Sequence, residues 1–143
     1  MKRIVLALVA GVIALTAAVA LAPLANARSF RGDLTAPSGG APFGGAVVGT
    51  YRIHVDREET SIEARVGVTP MAGYTLEGWL VDTQTGYKLS LGELERGSLE
   101  FEQHMVNPWT YGVLVITAEP IGDLDPNPNT PVAGAALPAP FGQ

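Results

Sequence analysis

From residue 46 onward, apolar and polar side chains alternate with a period of two, which is typical of half-buried β-strands. In the first such run every second residue from Val47 to Val55 is apolar or small, and the residues between them are mostly polar. A charged turn at residues 56–59 leads to a second run, in which every second residue from Ile62 to Val68 is apolar. The short link between the two runs predicts an antiparallel hairpin.

Further strands follow at short intervals. Tyr74 to Val81 and residues 111–118 are apolar on both faces, which predicts central strands of a sheet. The turn Asp82–Gly86 starts with Asp and supplies Gly where a positive φ is needed. Three more strands are predicted. One has Tyr87, Leu89 and Leu91 on its inner face, the next runs from Leu99 to Met105, and the last is a short edge strand at Val132–Leu137.

Six or seven short strands with no amphipathic helix predict an all-β fold, a single antiparallel, Ig-like β-sandwich at residues 46–137. We expect its edge strands near Ala46–Asp56 and Val132–Leu137, where another chain can pair. The Gly- and Pro-rich residues 28–45 read as a flexible lead-in, and residues 138–143 as a fraying tail.

The N-terminal segment 1–27 has the layout of an export signal. Met1-Lys2-Arg3 is basic, Ile4 to Ala22 is uncharged, and Ala25-x-Ala27 suits a signal peptidase. An uncleaved membrane anchor is the alternative, because an apolar run of this length spans a bilayer core of about 30 Å. Both readings place the following residues outside the cytoplasmic membrane.

Composition narrows the chemistry. The 143 residues contain no cysteine, so disulfides, Cys-ligated zinc, iron–sulfur clusters and cysteine nucleophiles are excluded. Beyond Lys2 and Arg3 the chain has seven basic and 14 acidic side chains, so we expect no nucleic-acid partner.

Three segments resemble the extracytoplasmic C-terminal domain of the anti-sigma-K factor (RskA-type) family. They are Tyr74-Thr75-Leu76-Glu77-Gly78-Trp79-Leu80, Leu89-Ser90-Leu91-Gly92-Glu93-Leu94, and Val115-Ile116-Thr117-Ala118-Glu119-Pro120-Ile121-Gly122 with its continuation to Gly134. The resemblance implies the β fold and a location outside the membrane, and it covers roughly residues 47–137. The family's N-terminal sigma-binding region has no match here, and Asp123 replaces the family's second Gly after Glu-Pro-x-Gly.

The segment Asp123–Asn129 has oxygen-bearing side chains at alternate positions, as calcium loops do at their start. An EF-type loop needs Gly at position six and Glu at position twelve, and these positions hold Pro128 and Gly134. We expect a solvated turn here and keep calcium as the alternative. His54, Met71, His104 and Met105 are conceivable copper ligands, although both histidines lie on polar strand faces.

Glu119, Pro120 and Gly122 belong to the Glu-Pro-x-Gly segment, which is the most specific part of the resemblance to the RskA-type domain. We expect Glu119 to cap amides of the following loop as a structural turn residue, with an acid–base role as the alternative. No G-x-S-x-G and no Ser-x-x-Lys is present, so no nucleophile is predicted. The larger aromatic residues form either a stacking surface for sugars or peptides, or core: Tyr74, Trp79, Tyr87, Trp109 and Tyr111.

The sequence therefore predicts a non-enzymatic, exported domain without a cofactor, for recognition, sensing or scaffolding at the outer face of the cytoplasmic membrane. Its expected partner is a protein of the cell envelope. The alternative is an exported protein that binds calcium through residues 123–129 or copper through His54 and His104.

Overall fold

The computed structural model describes residues 27–57 and 59–143, so the predicted signal or anchor segment lies outside the described residues, apart from Ala27. Eight strands follow one another: β1 Arg28–Ser38, β2 Ala41–Asp56, β3 Glu59–Val66, β4 Tyr74–Val81, β5 Lys88–Glu93, β6 Ser98–His104, β7 Val113–Pro120 and β8 Thr130–Ala136. One turn of 3₁₀-helix, Pro108–Thr110, lies between β6 and β7; the Asn107 side chain accepts a hydrogen bond from the Trp109 amide at 3.2 Å.

The strands form one antiparallel sheet in the order β5-β4-β7-β8-β1-β2-β3-β6, and this sheet is nearly closed into a barrel. The two edge strands, β5 and β6, approach each other across the remaining gap. The all-β antiparallel class predicted from the sequence is confirmed. The Ig-like sandwich is not confirmed, because the eight strands form one sheet, in which β1 and β8 are joined by the single pair Thr35 and Gly134.

The core fills the inside of this curved sheet. Leu34, Ile53, Leu114, Ile116 and Ala133 are fully buried and come from β1, β2, β7 and β8. Burial of each larger aliphatic side chain contributes about 1.5–3 kcal/mol, so the inner row of every strand contributes to stability.

Residues 28–45 are not a flexible lead-in: they form β1 and the first part of β2. The glycines concentrate where the chain turns, at Gly39 and Gly40, whose φ angles are +57° and +84°. Register shifts near Thr35 and Pro37 accommodate the remaining irregularity of this hairpin. The Gly and Pro content predicts a flexible segment, whereas Phe30 and Leu34 stand at the even spacing of a strand and both face the core.

The predicted edge strands are wrong for the same reason. Residues 46–56 of β2 pair with β1 on one side and with β3 on the other, so they lie inside the sheet. The segment Val132–Leu137 follows β7 in the strand order, and its other neighbour is β1, which it meets at the pair Thr35 and Gly134. Phe43 of the hairpin packs on β8, where a Cβ placed on Gly134 would come within 3.0 Å of its ring. The hairpin therefore covers part of the sheet that the sequence had left exposed.

Residues 138–143 do not fray. Phe141 is buried and its ring lies edge-on to Phe30 and tilted against Trp109, with centroids 5.0 Å apart in both pairs. The Gly142 amide donates to the Trp109 carbonyl at 2.7 Å. This C-terminal segment packs at the end of the sheet where β1 begins.

Several predictions of local structure are confirmed. β4 has the predicted bounds, Tyr74–Val81, and β7 has buried residues on both faces. Asp82 starts the predicted turn, and Gly86 adopts φ +77°.

Odd-numbered strands run one way and even-numbered strands the other, so the connections alternate between two ends. We call the end that holds Arg28 the N-terminal end. The opposite end, the distal end, holds the β1–β2 turn and the loops 67–73, 94–97 and 121–129. In the part of the chain that the structure describes, no helix is long and apolar enough to cross a membrane.

Candidate functional site

A groove of about 400 Å³ runs across the outer face of β1, β2 and β3. Its floor is the backbone of Gly32, Tyr51 and Ala64, since Tyr51 and Ala64 point their side chains into the core. Two cross-strand rows form its walls. One row is Arg31, Arg52 and Glu63; the other is Asp33, Thr50 and Arg65. We call this surface the arginine groove.

Among the residues that the structure describes, the arginines of this groove have no carboxylate partner at ion-pair distance. Among residues 27–57 and 59–143, the one ion pair within 4.0 Å joins His104 and Glu59 at 3.8 Å, on another part of the surface. Arg31 and Arg52 face each other directly across β1 and β2. Like charges in this arrangement repel, so the pair is unfavourable by itself.

The sequence did not reveal the arginine groove. The sequence predicts a flexible lead-in around Arg31, and it places Arg52 and Arg65 on two different strands. Only the register that pairs Arg31 with Arg52 and Thr50 with Arg65 brings the three together. In the sequence, only the alternation of these arginines with core residues indicates that they lie on the outer face of the sheet.

Exposed apolar side chains mark two loops at the distal end. Met71 in the β3–β4 loop is 74% exposed, and Ile121 and Leu124 in the β7–β8 loop are 71% and 95% exposed. The two loops are tied together, because the Ile121 amide donates to the Gly73 carbonyl at 2.9 Å. We call these two loops, with their three exposed apolar side chains, the distal tip.

Glu119 is buried at the end of β7, at the base of this tip. Its Oε1 accepts hydrogen bonds from the Thr117 hydroxyl and, at 2.8 Å, from the Asn129 amide. The Thr117 hydroxyl in turn accepts from the Trp79 indole at 2.9 Å. The carboxylate therefore links the core strand β7 to the far end of the loop that follows it.

Pro120 is the last residue of β7, and Gly122 stands in the tight turn that follows. The Asp123 amide donates to the Pro120 carbonyl at 3.0 Å, and Gly122 has φ +79°, a conformation that favours glycine. This turn sends the chain from β7 into the loop of the distal tip.

The segment Asp123–Asn129 uses its oxygens on its own backbone. Asp123 Oδ1 accepts from the Asp125 amide at 2.9 Å, and Asp125 Oδ1 accepts from both nitrogens of Asn127. These are successive Asx turns, a common local structure for such residues. Among the described residues, no three or more His, Asp or Glu side chains come together as a metal-holding group.

The two histidines are not brought together. His54 lies opposite Ser61 and receives or donates a 2.8 Å hydrogen bond with the Ser29 hydroxyl. His104 lies opposite Glu59, two strands away. Met71 is exposed on the distal tip, and Met105 is buried in the core.

The aromatic residues divide between core and surface. Trp79 and Tyr111 are buried, and Trp109 packs partly buried against the core. Tyr74 and Tyr87 are exposed at opposite ends of the sheet, so the five residues form no single stacking surface.

Asp82, at the N-terminal end, has a carboxyl pKa that hydrogen bonds hold well below its ordinary value. Hydrogen bonds from the Thr110 and Thr85 side chains, and then from the Thr85 and Gln84 amides, lower its pKa to about 2. Its contacts tie the β4–β5 turn to the 3₁₀-helix, with 2.7 Å from the Thr110 hydroxyl to Asp82 Oδ2. The role is structural, since both carboxylate oxygens are occupied by the turn and the helix.

No protein-family model matches the chain, and neither a curated protein nor a solved structure matches it. The likeness of three segments to the RskA-type domain therefore stays a prediction from the sequence.

Proposed function

We propose that the protein is an exported, non-enzymatic β domain for recognition, sensing or scaffolding at the outer face of the cytoplasmic membrane. In this proposal it acts like the extracytoplasmic domain of the anti-sigma factors that its segments resemble. It works by protein contact, and no bond is made or broken. The partner is a protein of the cell envelope.

The distal tip is the observation that supports this proposal best. Met71, Ile121 and Leu124 expose apolar surface that a folded domain usually buries or uses. The tip lies at the end of the sheet opposite to Arg28, where the predicted signal or anchor joins the domain. An anchored or newly exported chain would thus present its apolar loops away from its point of attachment.

The network below the tip suits a recognition role. Asn129 closes the β7–β8 loop onto the buried Glu119, and the Ile121 amide fixes the same loop to Gly73. A loop that is held in one conformation loses less entropy when it binds, which favours affinity. The same hydrogen bonds occupy Glu119, so the buried carboxylate serves structure in this proposal and not proton transfer.

Site-specific photo-crosslinking in the producing cells tests the proposal. A photoreactive amino acid replaces Leu124 in one version of the protein and Val106 in the other. The two residues are equally exposed, 95% and 92%, and lie at opposite ends of the sheet. We expect one defined crosslinked protein from position 124 and none from position 106.

Two results would refute this function. The first is the absence of any defined adduct at position 124 under conditions in which the protein is exported. The second is an identical set of adducts at both positions, which indicates random collision.

A further inference from the structure

The arginine groove lies on the outer face of the sheet and shares no residue with the distal tip, and the proposed function does not use it. It holds three of the seven basic side chains of residues 28–143, in a region that is strongly acidic as a whole. The groove therefore gathers positive charge on a chain whose residues 28–143 are mostly acidic among their charged side chains.

The register brings the three guanidinium groups around one point. Arg31 lies directly opposite Arg52, and Arg65 is the diagonal neighbour of Arg52 on the other side. Directly opposite residues on one face have Cβ atoms about 4.5–5.5 Å apart, and diagonal ones about 7–8 Å apart. Three long, exposed side chains at these spacings can reach the same anion.

No carboxylate of the described residues neutralises these arginines at ion-pair distance. Glu63 lies opposite Arg52 and Asp33 opposite Thr50, at two corners of the groove, yet neither forms an ion pair within 4.0 Å with another described residue. A bound anion would relieve the repulsion between Arg31 and Arg52 and would take up their free N–H groups. The planar, forked guanidinium matches the oxygens of phosphate-like groups particularly well.

Asp33 and Glu63, the carboxylates at the corners of the groove, limit how much negative charge a ligand can carry. A long polyanion would bring negative charge against Asp33 or Glu63, whereas one oxyanion group fits between the arginines. The exposed Thr50 hydroxyl, beside Arg52 on the same strand face, supplies a further donor.

We propose that the arginine groove binds a single phosphate or sulfate group, either as the free ion or as a monoester on a neutral carrier. Arg31, Arg52 and Arg65 bind the oxyanion, and Thr50 adds a hydrogen bond. The groove and the distal tip share no residue, so a failure to crosslink at the tip would not affect this proposal.

The test uses nitrogen-15-labelled protein in the form that the producing cells yield. The arginine Nε–H signals are followed by NMR. Sodium phosphate and sodium sulfate are titrated at constant ionic strength, with chloride as the balancing salt. We expect saturable shifts of Arg31, Arg52 and Arg65 and no saturable shift of Arg57. Arg57 lies in the β2–β3 turn, at the N-terminal end and outside the groove.

Two variants make the test specific. Arg52→Gln removes the central guanidinium and should weaken binding about tenfold or more, as expected for the loss of charged hydrogen bonds. Arg57→Gln removes the same charge outside the groove and should leave the affinity unchanged. Both positions are exposed, so the amide spectra should stay dispersed and confirm that the variants are folded.

Glucose 1-phosphate and glucose distinguish the source of the group. Tighter binding of the ester than of inorganic phosphate identifies a monoester ligand, and the reverse identifies the free ion. The proposal is overturned if glucose binds as well as its phosphate. It is also overturned if all arginines shift alike without saturation, or if Arg52→Gln binds like the unaltered protein.

Discussion

The ring of Tyr51 covers Gly32 across the β1–β2 pair. A Cβ placed on Gly32 would come within 2.8 Å of both Cε1 and the hydroxyl oxygen of Tyr51. The aromatic ring thus fills the space beside a residue without a side chain, and the backbones of both residues belong to the floor of the arginine groove. The packing of the Tyr51 ring in the core therefore affects the position of the backbone that forms the groove floor.

The substitution Gly32→Ala should therefore destabilise the protein by about 1–3 kcal/mol, because the buried ring must move to admit a methyl group. Chemical denaturation monitored by tryptophan fluorescence or circular dichroism measures this change. Gly67→Ala is the control: its Cβ meets only the Val48 carbonyl at 3.6 Å, so a change within about 0.5 kcal/mol is expected. Equal effects of the two substitutions would contradict the role of the Tyr51 ring.

Glu119→Ala should cost about 1–3 kcal/mol, because the Thr117 hydroxyl and the Asn129 amide lose their acceptor in a buried place. Glu119→Gln keeps a carbonyl oxygen and should recover part of that loss. Thermal or urea unfolding compares both variants with Glu100→Ala, which removes an exposed carboxylate of β6 and should have little effect.

Hydrogen exchange of the Asn129 amide provides a local readout for the same variants. We expect faster exchange in Glu119→Ala than in Glu100→Ala. If Glu119→Ala unfolds like the unaltered protein and Asn129 stays protected, the carboxylate does not hold the loop.

Asp82 makes stability depend on acidic pH. Its folded pKa of about 2 lies below the ordinary value of 3.8, so its stabilising contribution is complete above about pH 4 and is lost as the pH falls toward 2. Asp82→Asn should lower the melting temperature at pH 7, and the difference from the unaltered protein should shrink as the pH approaches 2.

Asp123→Asn is the control for Asp82, since Asp123 also accepts a backbone amide in an Asx turn but is exposed. Its melting curve should stay close to that of the unaltered protein at each pH. A difference at Asp82 that is the same at pH 7 and pH 2 would contradict the ionic origin of the effect.

At alkaline pH, stability is lost as the pH rises. Burial, and secondarily Asp33, raises the pKa of Tyr51 above 10.0, and burial, with Tyr87 and Asp82, raises that of Tyr111. Because the folded pKa values are raised, this stabilisation is fully present below about pH 10 and is lost as the pH rises through the folded values.

Tyr51→Phe and Tyr111→Phe remove the phenol that ionises and should move the alkaline unfolding midpoint to higher pH. Tyr74→Phe, at a more exposed ring, is the comparison. Absorbance of tyrosinate, followed together with circular dichroism, shows whether ionisation and unfolding coincide. Early ionisation of Tyr51 or Tyr111 without unfolding would refute this linkage.

The sequence was sufficient for those strands whose pattern is local. The bounds of β4, the burial of β7 on both faces and the Asp82–Gly86 turn follow from alternation, apolar content and turn chemistry. Strand β1 was missed because its core residues Phe30 and Leu34 stand among turn-forming residues. That omission left β2 and β8 without their shared neighbour and made them look like edges.

The site was less predictable than the fold. Glu119 could be chosen from its motif, but its bond to Asn129 depends on how the intervening loop returns. The arginine groove depends on the register of β1, β2 and β3, which periodicity does not fix. The distal tip depends on alternating strand directions, which place the 67–73 and 121–129 loops at one end.

One labelling measurement tests the central claim most directly, namely an exported domain that engages a partner through its distal tip. Because the chain has no cysteine, Leu124→Cys and Val106→Cys each introduce a single thiol. A membrane-impermeant maleimide is applied to intact cells and, separately, to the purified protein. We predict that Val106→Cys is labelled in both, whereas Leu124→Cys is labelled when purified and protected in cells. Labelling of Val106→Cys only after lysis would contradict export, and equal labelling of both positions in cells would contradict a covered distal tip.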